Sequence, residues 1–173
     1  MKKIIYSAIT AAIISLSAFT FLSDWKVKPS EAVVEFKGGN ISGAFKELKA
    51  DISFDKEHPE QAKMTASITV ESIATGFFIK NSHAKDALDA DKYPTIKFVS
   101  SAVSKGGTGY VAKGNLTMKG VTKPISISFT FDDKGNQGVF KGSFKVAPKE
   151  FGITRNGTPD ELTISLSVPV TKG

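Results

Sequence analysis

Leu162-Thr163-Ile164-Ser165-Leu166-Ser167-Val168-Pro169-Val170 alternates apolar and polar or imino residues over nine positions. A strand turns successive side chains to opposite faces, so this stretch has one greasy face and one wet face. The same period recurs upstream. Ile125, Ile127, Phe129 and Phe131 alternate with Ser126, Ser128 and Thr130. Met64, Ala66, Ile68 and Val70 alternate with Thr65, Ser67 and Thr69, and Phe140, Gly142, Phe144 and Val146 with Lys141, Ser143 and Lys145. Val34/Phe36, Ile52/Phe54, Ile96/Phe98 and Tyr110 through Leu116 are weaker cases.

Turn-forming residues separate these runs: Gly38-Gly39-Asn40, Lys105-Gly106-Gly107, Asp133-Lys134-Gly135-Asn136 and Asn156-Gly157. All tolerate positive φ, which tight hairpins demand. The spacing predicts an all-β fold of about eight antiparallel strands. A sheet of that length must cover its edges or close on itself. An eight-stranded antiparallel barrel is the economical solution, and a two-sheet sandwich is the competing one. One short helix is predicted over residues 81–92, capped by Asn81 or Ser82. Ala84, Ala87 and Leu88 share one of its faces, and Pro94 prevents its extension. Phe77-Phe78-Ile79 reads as an apolar run near a strand end.

The N-terminus differs from the rest of the chain. Lys2 and Lys3 precede an apolar or small stretch from Ile4 to Leu22. That layout predicts a signal peptide over residues 1–22, followed by a single domain over 23–173. Ser17 and Ala18 both offer a cleavage point, and an uncleaved membrane anchor is the alternative. A periplasmic or secreted location follows from export. The chain has no Cys, so no disulfide stabilises the domain.

The charges exclude more than they suggest. Of 23 basic residues only Arg155 is an arginine, so base readout and phosphate clamping on nucleic acid are not expected. His58 and His83 are the only histidines, and neither sits in a catalytic or metal-ligand spacing. Asp86, Asp89 and Asp91 are interleaved with Lys85 and Lys92 and read as a solvated surface. No enzyme activity, metal or cofactor is expected. The interior is more informative. Ala66, Ala112, Gly114 and Gly142 fall on the inward face among phenylalanines. Either they leave an apolar tunnel, or the glycines mark bends needed for closure.

Several short motifs occur in a fixed order along the chain. They are Trp25, Val33–Phe36, Gly43-Ala44-Phe45, Ile52-Ser53-Phe54-Asp55, Ser72-Ile73-Ala74-Thr75 and Asp91-Lys92-Tyr93-Pro94-Thr95-Ile96-Lys97-Phe98. Gly114-Asn115-Leu116-Thr117-Met118-Lys119-Gly120-Val121-Thr122-Lys123, Glu150-Phe151-Gly152-Ile153 and the strand from Glu161 follow. In these motifs, over nearly all of residues 25–170, the chain resembles the YceI-like family of exported polyisoprenoid-binding proteins. The helical stretch departs from the family pattern in carrying Ala84, Ala87 and Ala90 where bulkier apolar residues are usual.

The resemblance implies a lipocalin-like barrel whose apolar pore holds an isoprenoid-type lipid, such as a prenyl phosphate or a quinone tail, as carrier or store. It also implies a tight hairpin at Lys119-Gly120. The lumen candidates are Phe36, Phe45, Phe54, Ile68, Val70, Phe98, Leu116, Ile127, Phe129, Phe144 and Leu166. Transient membrane contact is compatible with such a ligand, and oligomeric state stays open. The alternative function is an exported protein-interaction module that uses the barrel as a scaffold and Phe77-Phe78-Ile79 as a contact surface.

Overall fold

The computed structural model describes residues 22–173. The predicted leader, residues 1–22, therefore lies outside the described residues except for Leu22. Eleven strands and one helix follow in the order β1 (Asp24–Val27), β2 (Val33–Gly38), β3 (Ile41–Phe45), β4 (Leu48–Ser53), β5 (Lys63–Thr69), β6 (Ile73–Ala74) and α1 (Phe78–Leu88). The rest are β7 (Thr95–Gly106), β8 (Gly109–Met118), β9 (Val121–Asp133), β10 (Gln137–Val146) and β11 (Leu162–Lys172).

Eleven segments make eight staves. β11 pairs with β2 through Thr163–Ser167 and with β1 through Val170–Lys172, so β1 and β2 are two halves of one interrupted strand. β3 pairs with β2 and β4 pairs with β1, which makes a second broken strand. β5 and β6 continue the pattern against β4 and β3. From β7 to β11 the chain is a plain meander. Pairing of β5 with β7 and of β11 with β1 closes the ring, giving an eight-stranded antiparallel barrel without free edges around its girth. This is the closed form that the alternation predicted, and not the sandwich.

The turns obey the expected chemistry. At the β8–β9 hairpin Lys119 and Gly120 have φ of 51° and 76°, the doubly left-handed pair that suits a two-residue turn between twisted strands. Lys119 Nζ donates to the carbonyls of Ala87 (2.8 Å) and Gly152 (3.2 Å), fastening this hairpin to α1 and to the turn after Pro148–Phe151.

The helix corrects one expectation. It begins at Phe78, three residues before Asn81, and ends at Leu88, four before Lys92. Neither Asn81 nor Ser82 is its cap. Asn81 Oδ1 instead accepts from the Thr75 backbone N–H and hydroxyl, both at 2.7 Å, and ties the helix to the end of β6. Phe77-Phe78-Ile79 is accordingly the entry to a helix and not a strand end. Asp89, at φ 54°, ends the helix well before Pro94. The expected inner face is present: Leu88 is buried, while Ala84 and Ala87 are half-buried.

Candidate functional site

The two ends of the barrel are built differently. At the end where β1 meets the last residues of β11, six rings pack together. Phe54 is 1% exposed and makes edge-on contacts with Tyr110 (4.9 Å), Phe131 (5.4 Å), Phe140 (5.5 Å) and Phe129 (5.8 Å). Phe131 stacks on Phe140 at 4.4 Å, and Trp25 meets Phe131 edge-on at 4.9 Å. The Trp25 indole N–H donates to the Phe54 carbonyl at 3.0 Å, so its polar atom is satisfied inside the cluster. A Cβ on Gly138 would lie 2.4 Å from the Phe131 ring, so the bare glycine lets that ring lie flat on the strand. This end is plugged.

Above the plug the interior is hollow. A cavity of about 720 Å³ runs up the barrel axis, and Phe129 and Phe140 form its floor. Its wall is apolar: Val34, Phe36, Phe45, Leu48, Ile52, Met64, Ile68, Phe98, Leu116, Met118, Ile127, Phe144, Leu162, Ile164, Leu166 and Val168 all contribute. In a filled barrel these inward positions would be fully buried. Here Ile52, Met64, Ile68, Phe144, Leu162, Ile164 and Leu166 are only half-buried, because they face the cavity instead of other side chains. The small inward residues create much of that space. Ala50, Ala66, Ala112 and Gly142 line it directly. Gly114 does not line it. A Cβ there would sit 2.7 Å from the Phe98 ring, so Gly114 seats a wall residue.

Of the eleven lumen residues singled out in the sequence, Phe36, Phe45, Ile68, Phe98, Leu116, Ile127, Phe129, Phe144 and Leu166 lie on the cavity wall. Phe54 and Val70 lie off it. Phe54 is the centre of the plug, and Val70, also 1% exposed, sits in a 3-10 turn where its N–H donates to Pro94 O at 2.9 Å.

The opposite end is the mouth. Its rim combines the β2–β3 hairpin (Asn40, Ile41, Ser42), the β6–α1 segment (Thr75, Phe77, Lys80, His83) and the loop before β11 (Arg155, Asn156, Thr158). Local contacts hold these parts together. Arg155 Nη1 donates to the His83 carbonyl at 3.2 Å and lies 3.6 Å from Asp86 Oδ2. Gly38 approaches the Glu161 backbone so closely that a Cβ would come within 2.3 Å of its carbonyl oxygen. Sequence reasoning assigned no rim around the mouth, since it is assembled from segments as far apart in the chain as Asn40 and Thr158. His83 lies in the middle of α1, on the rim. His58 does not line the cavity and faces Glu60 Oε1 at 3.5 Å. Among the described residues no cluster of His, Asp or Glu is arranged to hold a metal.

Comparison with known proteins agrees with this architecture. The YceI-like domain model matches residues 25–171. A UPF0312 protein of Pseudomonas syringae pv. tomato is 35% identical over 151 residues, covering 79% of this chain and 78% of that one. The crystal structure of Burkholderia cenocepacia BcnA superposes with a TM-score of 0.79 at 26% identity, covering 84% of this chain and all of that chain. A polyisoprenoid binding domain from Saccharophagus degradans, implicated in plant cell wall breakdown, shares the fold at a TM-score of 0.68 and 11% identity, over 88% of this chain and all of that one.

Proposed function

This chain belongs to the YceI-like family, and from that premise we propose that it binds one long, slender lipid of isoprenoid type inside the barrel. The lipid's tail occupies the apolar cavity and its polar end rests at the rim. The observation that carries this reading is the 720 Å³ apolar hollow, closed below by phenylalanines and open above at a polar rim. That volume falls within the range of about 300–1,000 Å³ typical of small-molecule sites. The polyisoprenoid-binding description of the Saccharophagus degradans domain supports the choice of ligand class.

The physics favours loose recognition of the tail. Burying each CH₂ contributes about 0.8 kcal/mol whatever its place in the chain, so affinity grows with length and not with sequence-specific contacts. Selectivity then falls to the rim, where Asn40, Ser42, Lys80, His83 and Arg155 offer donors. A prenyl phosphate would meet cations there, and a quinone would need only a donor or two. The function is binding, as carrier or store, and not catalysis. The lysine-led apolar leader of residues 1–22 supports a place outside the cytoplasm.

The test is to purify the protein natively from its own compartment, extract it with organic solvent, and identify the extract by mass spectrometry. A prenyl lipid in constant proportion to protein is expected. Repeated isolation of empty barrels that also take up no added prenyl lipid overturns the reading.

A further inference from the structure

The rim carries more apolar surface than the cavity requires. Phe77, Phe78 and Ile79 are 65%, 87% and 67% exposed, the three highest values for large apolar side chains among the described residues. They are consecutive and form the entry to α1. Leaving two phenylalanines and an isoleucine side by side in water is unfavourable, and such a patch marks a contact surface. Its place narrows the kind of contact. Phe77 also lines the cavity, as does Ile41 at the start of the adjoining strand β3, so the outer patch and the inner wall form one apolar surface over the lip.

The charge at the lip has one sign. Among the described residues, Lys80, His83 and Arg155 are the ionisable side chains that line the cavity, and no carboxylate does. Lys80 Nζ lies 5.0 Å above the Phe77 ring, and no ion pair joins it to a carboxylate among the described residues. The nearby acids are matched: Glu71 pairs with Lys85 at 2.5 Å, and Asp86 faces Arg155. The sequence as a whole carries 23 basic and 17 acidic residues, a formal net charge of +6.

We propose that the start of α1 is a docking element for an anionic bilayer surface. Phe77, Phe78 and Ile79 enter the boundary between headgroups and acyl chains, Lys80 faces lipid phosphates, and the mouth opens onto the hydrocarbon. Aromatic and aliphatic residues beside a cation at one exposed helix start are the composition of interfacial membrane contacts. A protein partner fits less well. Three side chains fall far short of the roughly 800 Å² per partner that a stable protein interface covers, whereas a bilayer demands no matching shape. The proposal rests on the lipid-binding reading, for which it supplies the route. A tail passing from membrane to cavity along Phe77 never crosses bulk water.

Sedimentation with vesicles tests it, using the purified protein and the double variant F78D/I79D. Neither replaced residue lines the cavity, and both are exposed, so the fold is expected to match the wild type. The wild type is expected to sediment with phosphatidylglycerol-containing vesicles and more weakly with phosphatidylcholine alone. The variant is expected to lose at least about tenfold in partitioning, since two apolar anchors have become charges. Equal sedimentation of variant and wild type overturns the proposal, and so does a wild type that ignores anionic vesicles. A concentration-dependent dimer that the double variant abolishes, without vesicle binding, overturns it in favour of self-association. The two readings fail separately. Patch-dependent vesicle binding by a barrel that yields no prenyl lipid leaves docking standing and removes the carrier. A lipid-loaded barrel that ignores vesicles does the reverse.

Discussion

The plugged end and the open end of this barrel are made from the same residue types at the same strand period, yet one is solid and the other hollow. At the plug, Trp25, Phe54, Tyr110, Phe129, Phe131 and Phe140 close across the axis with centroids 4.4–5.9 Å apart. Higher up, Phe36, Phe98 and Phe144 alternate in space with Ala50, Ala66, Ala112 and Gly142, and the rings stay on the wall. An eight-stranded barrel is just wide enough for either outcome. The deciding variable is how many large side chains face one another at a given level. Stability should therefore be concentrated at the plug and binding above it.

The largest expected effect is at the plug. Phe54→Ala removes a ring with four aromatic neighbours from a site that is 1% exposed. A loss of about 3–5 kcal/mol in unfolding free energy is expected, read by urea or thermal denaturation. Phe78→Ala is the matched control from the mouth. It removes the same atoms from an 87% exposed position and should change stability by no more than about 0.5 kcal/mol. Similar losses for the two variants would break the contrast between the ends.

The second effect is expected on binding. Ala112 is 2% exposed and lines the cavity. Ala112→Leu adds about three carbons to the hollow and excludes a similar length of tail. Prenyl-lipid affinity should fall by about 2 kcal/mol, roughly 30-fold, in a competition assay with a fluorescent prenyl probe. Unfolding free energy should hold or rise, because the new atoms fill empty space. A marked loss of stability instead would mean that the level of Ala112 is already packed, like the plug.

The legible and the illegible parts of the sequence divide along the same axis. The strands declared themselves because a barrel stave has one wet and one apolar face, and that gives the period of two. The Lys119-Gly120 turn was legible through the family resemblance and not through residue type, since lysine seldom takes the positive φ of 51° that it has here. The breaks that split the first three staves left no such mark. Paired strands on either side of a kink still alternate, so eight staves were visible where eleven segments exist. Phe54 shows a finer limit. It is the next inward position after Ile52, as the alternation says, but the level at which a residue points inward is invisible without the ring of partners. The start of α1 was hidden because Phe77 caps it without a side-chain hydrogen bond, while Asn81, the better cap by type, is engaged with Thr75. The rim was illegible because it is assembled from three segments whose contacts span dozens of residues.

The smallest expected effect returns to the plugged end, on its outside. Lys56 Nζ donates to Asp133 Oδ2 at 3.0 Å, joining the segment after β4 to the end of β9. That bond, with the Gly135 N–H as a second donor, holds the Asp133 carboxyl below its usual range, and the same bond raises the Lys56 amine. The signs follow. A depressed carboxylate contributes stability above its unfolded pKa of about 3.9, and the contribution fades as pH falls through the folded value. A raised amine contributes below its unfolded pKa of about 10.4, and that is lost as pH climbs through the folded value. The pair therefore acts only between those limits. Both side chains are largely in solvent, so screening keeps the contribution small. Asp133→Asn should lower Tm at pH 7 by less than Phe54→Ala does, and the shift should shrink with added salt and vanish near pH 2. A Tm difference that persists unchanged at pH 2 would mean that Asp133 acts through the turn it shares with Gly135 and not through its charge. The outer seam of the plug would then owe its order to backbone geometry, as its core owes its own to rings.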